Sequence, residues 1–241
     1  MNYLEMLAKL GVSNAHPGGF TATIQQFKEW KINKDSKVLE VGCGTGRTSC
    51  YIAKTFGCHV TGVDLSDEMI KKAKERAAYE KMGVDFIQGD VLHLPFNDEQ
   101  FDVVIAESVT LFANPEKAAK EYYRVLKPEG AVYDREMFQT GSLSEDDLLS
   151  FHQFFHTKQL PSKEEWQQIY QHAGFRNLKV WEETSYTKGV VETDFDYPDP
   201  MQQLDPTLLM DGEIWELTGE YYEVMQNYAK HLAYALFISY K

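Results

Sequence analysis

The run Val38-Leu39-Glu40-Val41-Gly42-Cys43-Gly44-Thr45-Gly46 constrains this chain more than any other segment. An apolar stretch that ends in alternating glycines reads as a strand turning at once into a helix. Glycine accepts the positive φ that such a turn needs and lets a ligand approach the backbone closely. The helix start adds unpaired N–H groups and a positive dipole end, which suit an anion such as an amino-acid carboxylate. The spacing is GxGxG, whereas a pyrophosphate site keeps its last glycine one residue later.

From Lys37 to Phe138, strand-like and helix-like segments alternate. Strands are predicted at 37–41, 59–63, 84–88, 101–106 and 131–137. Helices are predicted at 48–56, stopped by Gly57, and at 67–81, where Ser66 caps and Asp67 and Glu68 favour the positive end. A further helix opens at Asn114-Pro115 and closes at Lys127-Pro128-Glu129-Gly130. Short connections between alternating elements argue for an α/β fold, a doubly wound and mostly parallel sheet with helices on both faces.

The pattern changes after Phe138. Residues 143–158 read as an aromatic-rich helix, and Ser162 with Glu165 forms a capping box for a helix reaching His172. A strand is predicted at 178–187, a loop at 194–206 and a last strand at 234–240. Between them Ile214, Leu217, Tyr221, Val224, Met225, Tyr228 and Leu232 recur at helical spacing. We therefore expect one domain over 1–241. It divides into a helical N-terminal cap (1–34), a core (35–138), a helical segment (139–175) and an insertion before the last strand (188–232).

Composition excludes some classes. The formal charge is -13, from 37 acidic against 24 basic residues, and no Lys/Arg run stands out, so nucleic acid is a poor partner. Cys43, Cys50 and Cys58 form no CxxC pair, which favours a reducing compartment over a disulfide framework. Neither a secretory leader nor an apolar run of the ~20 residues that span a bilayer is visible. These features set the expectation of a cytoplasmic enzyme, without a membrane partner, acting as a monomer or homodimer.

Two acids extend the glycine turn. Asp64 ends the second strand about 20 residues on, where a carboxylate accepts hydrogen bonds from ribose hydroxyls. Gly89-Asp90-Val91 ends the third, and ligands of open α/β sheets sit at such carboxyl edges. Each signal alone is weak; all three occur in order on successive strand ends.

Here the chain resembles class I S-adenosylmethionine-dependent methyltransferases of the small-molecule type. The matching pieces are residues 38–46, 60–66, 86–96, 101–109 and 124–130, and the likeness covers roughly 35–138. The resemblance implies S-adenosyl-L-methionine as cofactor, S-adenosyl-L-homocysteine as product, and a seven-stranded sheet whose last strand runs antiparallel. It assigns the methionine moiety to Glu40, Gly42, Cys43, Gly44 and Gly46, the ribose to Asp64 and Leu65, and the adenine to Met69, Gly89, Asp90 and Val91. Glu107 and Ser108 would lie beside the methyl group. No metal is expected. The family usually joins its last two strands by a short turn; the insertion of about 45 residues here suggests a substrate cover or a dimer contact.

A sulfonium methyl is already electrophilic, so the protein must align a nucleophile and exclude water. A base is needed only where the nucleophile arrives protonated. His16, before Pro17-Gly18-Gly19 and an amphipathic helix at 21–30, reads as a base or as a surface histidine at a helix start. Glu107 reads as a base, as a carboxylate favouring a cationic substrate, or as a local cap. His152 and His156 sit at i, i+4 without a third ligand signal and read as a helix face. Phe151, Phe154 and Phe155 read first as core and otherwise as the lining of an apolar or cation-π pocket, Cys43 as a buried filler, and Tyr133 and Glu136 as structural. The leading expectation is methyl transfer to a small-molecule acceptor. A protein or nucleic-acid methyltransferase, a catalytically silent cofactor-binding sensor or scaffold, and a nucleotide-dependent oxidoreductase are the alternatives.

Overall fold

The computed structural model describes residues 1–186, 197–202 and 206–241. Among them, seven strands form one sheet in the order β3-β2-β1-β4-β5-β7-β6. The strands are β1 (Lys37–Val41), β2 (His59–Asp64), β3 (Val84–Gln88), β4 (Phe101–Glu107), β5 (Leu126–Gln139), β6 (Arg176–Ser185) and β7 (Leu232–Tyr240). The first five are mutually parallel, and β7 slots antiparallel between β5 and β6. This is the expected doubly wound sheet. The chain order reverses between β1 and β4, and such a switch point opens a crevice at the carboxyl ends of the strands.

Alternation along the strands places the two cores. Val38, Val103, Ile105 and Tyr133 face one side, with Ile52 of α3 (Arg47–Phe56) and with Trp30. Leu39, Val41, Val104, Ala106 and Val132 face the other. There they meet Tyr122 of α5 (Pro115–Val125), Phe151 of α6 (Glu145–Phe155) and Trp166 of α7 (Lys163–His172). Both sides are apolar because parallel strands are covered on both faces. Of the three aromatic residues read as core, Phe151 and Phe155 are buried and Phe154 packs against them at the edge of the same cluster.

The caps form as the sequence suggests. Ser66 accepts from Met69 N–H at the start of α4 (Asp67–Glu80), Asn114 accepts from Lys117 N–H before Pro115, and Ser162 and Glu165 close their capping box. Differences lie at the ends. The helix predicted at 21–30 is α2, Gly19–Gln26. After it the backbone tightens to i→i−3 bonds, Glu29 N–H to Gln26 and Trp30 N–H to Phe27, which turns Phe27 and Trp30 onto each other. Strand β5 starts at Leu126 instead of 131, because Leu126 already pairs with Phe101. The residues after it then bulge before the register resumes at Val103 with Ala131, with Glu129 at φ 64.

Two helical additions cover the carboxyl edge. One is α1 (Tyr3–Leu10), closed by an Asn2–Glu5 capping box. The other is α8 (Gly212–Tyr228), which carries the predicted stripe; Ile214, Met225 and Tyr228 are buried while Glu213, Glu216, Glu220 and Glu223 are exposed. Residues 194–196 and 203–205 of the loop predicted at 194–206, and residue 187 of the strand predicted at 178–187, lie outside the described residues. No described helix is long and apolar enough to cross a membrane.

Candidate active site

At the carboxyl ends of β1, β2, β3 and β4 a cavity of about 820 Å³ opens. Its floor is the glycine turn. Gly42 has φ +62, and a Cβ there would lie 2.2 Å from Val109 Cγ2, so only glycine fits. Gly44 has φ +52 with nothing within 4 Å of an added Cβ; its open side faces the cavity it lines. The turn's own N–H groups are largely engaged. Cys43 N–H donates to Val63 O, Gly44 N–H to Asp64 Oδ2 at 2.8 Å, and Gly46 N–H to Cys43 O. Binding an anion on these N–H groups, as the helix-start argument suggests, would require displacing existing acceptors.

Gly46 does not line the cavity. Its missing Cβ leaves room for Phe86 and Ala73, so its role is packing of α3 and α4 onto β3. The other residues assigned to the cofactor from the sequence all line it: Glu40, Gly42, Cys43, Gly44, Asp64, Leu65, Met69, Gly89, Asp90, Val91, Glu107 and Ser108. His16 lines it as well.

Three acids shape the potential of this end. Glu40 is buried and accepts from Ser49 Oγ. Burial pushes its carboxyl up to about 8, and the Glu107 and Asp64 carboxylates add to the rise while the Ser49 bond opposes it. Asp64 accepts from Ser66 N–H at 2.9 Å and Gly44 N–H at 2.8 Å, which fixes its carboxylate at the strand end. Burial raises its pKa, and those N–H groups oppose the rise. Asp90 accepts from Leu92 N–H at 2.8 Å. Leu65 is 71% exposed on the rim, an apolar side chain held against the mouth.

Ser108 follows β4 at φ +59, an αL conformation that a non-glycine residue holds only when its surroundings enforce it. Its N–H donates to Arg135 O. The next turn is held from below: Glu136 Oε1 accepts from the N–H groups of Val109 (2.9 Å), Thr110 (2.7 Å) and Leu111 (3.3 Å). Asp134 accepts from Thr110 Oγ1 at 2.6 Å and from Tyr170. Burial raises both carboxyls above their ordinary range, and the Asp134 carboxylate adds to the rise at Glu136. One proton shared between them satisfies the two oxygens, Glu136 Oε2 and Asp134 Oδ1, that otherwise face no donor.

Residues from three distant segments converge on Glu107. Oε1 accepts from Thr23 Oγ1 at 2.8 Å and Gln26 Nε2 at 2.5 Å, and Oε2 accepts from Thr48 Oγ1 at 3.1 Å. His16 Nε2 lies 3.7 Å from Oε2 and 3.1 Å from Thr23 Oγ1. The His16 and Glu107 side chains are 4% and 7% exposed, which excludes the surface reading of His16.

A methyltransferase-domain family model matches residues 39–133. Over 239 residues the chain is 29% identical to an uncharacterised methyltransferase, YodH, of Bacillus subtilis (strain 168), covering 99% of each. It is 31% identical over 209 residues to a demethylmenaquinone methyltransferase of Staphylococcus aureus (strain JH9), covering 73% of this chain and 84% of that one. The chain belongs to the class I S-adenosylmethionine-dependent methyltransferases. Among solved structures, a phosphoethanolamine N-methyltransferase of Haemonchus contortus in complex with S-adenosyl-L-methionine shares the fold. The TM-score is 0.79 at 23% identity over 99% of this chain, which spans 57% of that one.

The methyltransferase's own residues fit this cofactor. An adenosyl amino acid presents an ammonium, a sulfonium, a ribose diol and an adenine. The cavity offers the buried Glu40 carboxyl, Asp64 at a strand end, Asp90, and the apolar pair Leu65 and Met69, with an uncovered backbone at Gly44. Beyond β4 the same cavity continues between α1 and α8, where Tyr3, Leu7, Phe112, Phe155, Tyr186 and Tyr221 line it. Sequence reading missed Tyr3, Phe112 and Tyr186 and saw Tyr221 only as part of a stripe. They lie up to 218 positions apart (Tyr3 to Tyr221), and no local motif links them. The histidine pair behaves as a helix end: His152 bonds Thr157, His156 adopts the αL cap, and no metal-ligand group occurs among the described residues. Tyr133 ties Lys31 N–H and Glu29 O together, a structural role as expected.

Proposed function

We propose that the enzyme transfers the cofactor's methyl group by in-line displacement to a small organic acceptor held between α1 and α8. One observation carries this reading: a single cavity is lined by the glycine turn, by Glu107 and His16, and by a group of aromatic side chains. The names of the relatives, demethylmenaquinone and sterol methyltransferases, support a small-molecule acceptor. The charge of -13 speaks against nucleic acid, and three buried free cysteines favour a reducing, cytoplasmic setting.

S-adenosyl-L-methionine supplies an electrophilic methyl on sulfur. The chain's residues do the rest. Glu40, Asp64, Met69 and Asp90 hold and orient the donor, the αL Ser108 and its buttressed turn shape the gap, and α1 with α8 excludes water. Glu107 is a positioning residue here: Thr23 and Gln26 donate to Oε1, Thr48 donates to Oε2, and Oε2 also faces His16. His16 takes the proton when the acceptor carries one. His16 Nε2 lies 3.1 Å from Thr23 Oγ1 and 3.5 Å from Asn14 Nδ2, Nδ1 lies 3.3 Å from Pro17 O, and Glu107 balances the charge of the protonated ring.

The test is calorimetry with S-adenosyl-L-homocysteine followed by its release from S-adenosyl-L-methionine across a metabolite panel. Micromolar binding with acceptor-dependent release supports the proposal. Binding without release from any acceptor points to a silent sensor, and no binding at all overturns the site.

A further inference from the structure

We infer that Arg135 is a positioning residue for the reaction: acting through Gln26, it holds the Glu107 carboxylate in the orientation that faces His16. The inference rests on the function proposed above. It concerns side chains behind the cavity wall, since neither Arg135 nor Gln26 lines the cavity.

Three observations carry it. First, the topology brings the members of the relay together. Glu107 and Arg135 are registered partners on the parallel strands β4 and β5, and Gln26 is the last residue of α2. Arg135 Nε donates to Gln26 Oε1 at 3.2 Å, and Gln26 Nε2 donates to Glu107 Oε1 at 2.5 Å. Side chains alternate along β5, so Arg135 points away from Asp134 and Glu136, which bond Thr110 and Tyr170 on the other face of the sheet.

Second, the chemistry permits one orientation of the amide. A guanidinium only donates and a carboxylate only accepts. Gln26 satisfies both with its oxygen toward Arg135 and its nitrogen toward Glu107, and the reverse orientation satisfies neither. Without the guanidinium, the Gln26 oxygen loses the donor that fixes this choice.

Third, the cation's other contacts offset its burial only in part. The Arg135 side chain is 0% exposed. Its Nη2 lies 3.3 Å from Glu182 Oε2 and 3.5 Å from Ala22 O, and Nη1 meets no acceptor among the described residues. Glu182 reaches it from the irregular stretch of β6 between Trp181 and Thr184, at φ +56, a conformation that its surroundings must enforce. An apolar side chain of similar length would avoid the desolvation of this charge. What the guanidinium adds is the donor that orients Gln26.

The experiment is a double-mutant cycle on the full chain, with S-adenosyl-L-methionine and the acceptor that the metabolite panel identifies. Arg135→Met should lower the turnover number about tenfold, with S-adenosyl-L-homocysteine affinity kept within about twofold, which also reports that the variant is folded. In a Glu107→Gln background the same substitution should cost less than about twofold, because an amide at 107 pairs with Gln26 in either orientation. An arginine that only supports the fold would lose the same factor in both backgrounds. Arg135→Lys keeps a donor-only cation and should retain most of the turnover. Arg135→Gln gives the same comparison should Arg135→Met not fold. A second readout needs no acceptor: the Gln26 side-chain amide signal in nitrogen-15 NMR, identified by its loss in Gln26→Met. With S-adenosyl-L-homocysteine bound, its hydrogens should exchange with solvent about tenfold faster in Arg135→Met. Equal losses in the two backgrounds, unchanged turnover in Arg135→Met, or an unmoved Gln26 signal overturns the inference. Failure of the unaltered chain to bind S-adenosyl-L-homocysteine, or no release across the panel, overturns the underlying function instead, and the Gln26 signal still decides whether Arg135 holds the amide.

Discussion

The two ends of the cavity are built in different ways. The cofactor end rests on strand termini: Glu40, Gly42, Gly44, Asp64, Asp90 and Glu107 all stand at or just beyond the ends of β1, β2, β3 and β4. Parallel pairing fixes these ends relative to one another, as where Glu40 registers with Gly62 and with Ile105. The proposed acceptor end is assembled from α1 and α8, which come from opposite ends of the chain, with Phe112, Phe155 and Tyr186. They are held by ring stacking and by the ion pair of Met1 with Glu213. A sheet edge is rigid because many hydrogen bonds support it, whereas a helix pair resting on side chains adjusts more readily. The first end suits a constant ligand and the second a variable one.

Substitutions can break or sharpen this contrast. The largest effect is expected at Gly42, where a side chain must displace Val109 from a strained turn. Gly42→Val should cost about 3 kcal/mol or more of stability and abolish cofactor binding, read by thermal unfolding and calorimetry. Next, Glu107→Gln keeps much of the hydrogen bonding to Thr23 and Thr48 but removes the charge facing His16. The turnover number should fall about tenfold to a hundredfold with cofactor affinity nearly kept, read by steady-state kinetics and calorimetry. Asp64→Asn should weaken S-adenosyl-L-homocysteine about tenfold, through a poorer acceptor for the ribose and a clash with Gly44 N–H.

Glu40 offers a pH test of the cofactor end alone. Its carboxyl titrates near 8 in the ligand-free protein because burial disfavours the charge. A bound ammonium would favour the ionised form, so binding should release a proton below that pH. Affinity should therefore rise with pH up to about 8 and flatten above it, and the calorimetric heat should depend on the buffer's ionisation enthalpy. The same raised pKa makes the folded, ligand-free protein bind more protons than the unfolded chain between the unperturbed value of 4.5 and about 8. Glu40 thus lowers stability as pH climbs through that window, and Glu40→Gln should remove the slope. The smallest effect is expected at Leu65, 71% exposed on the rim. Leu65→Ala should leave stability within about 0.5 kcal/mol and weaken the cofactor only a few-fold. If Tyr221→Ala changed cofactor affinity as much as Asp64→Asn does, the division into two ends would be wrong.

Much of the cofactor end was legible before any coordinates. A strand that stops in GxGxG, followed by strand ends carrying Asp64 and Asp90, is a local signal repeated at regular spacing, and each residue's position follows from its own strand. Gly46 shows the limit of such reading. Its place in the motif suggested a ligand, but Phe86 and Ala73 occupy the space that its missing side chain leaves. The engaged N–H groups of Cys43 and Gly44 show it again, since their acceptors, Val63 and Asp64, arrive from the neighbouring strand. His16 and Glu107 were each legible as candidates, yet 91 positions separate them and nothing in the chain announced their approach to 3.7 Å.

By itself, then, the sequence determined the alternating α/β order, the helix caps at Ser66, Asn114 and Ser162, and the strand-end acids, because periodicity, capping and turn chemistry act over a few residues. Only the tertiary structure decided which strands became neighbours of β5, which side chains surround Glu107, and that Tyr3 would stack on Tyr221 across almost the whole length of the chain. Those contacts depend on non-directional burial among surfaces brought together late in the chain's path, and burial leaves no pattern at fixed spacing for a reader of the sequence to find.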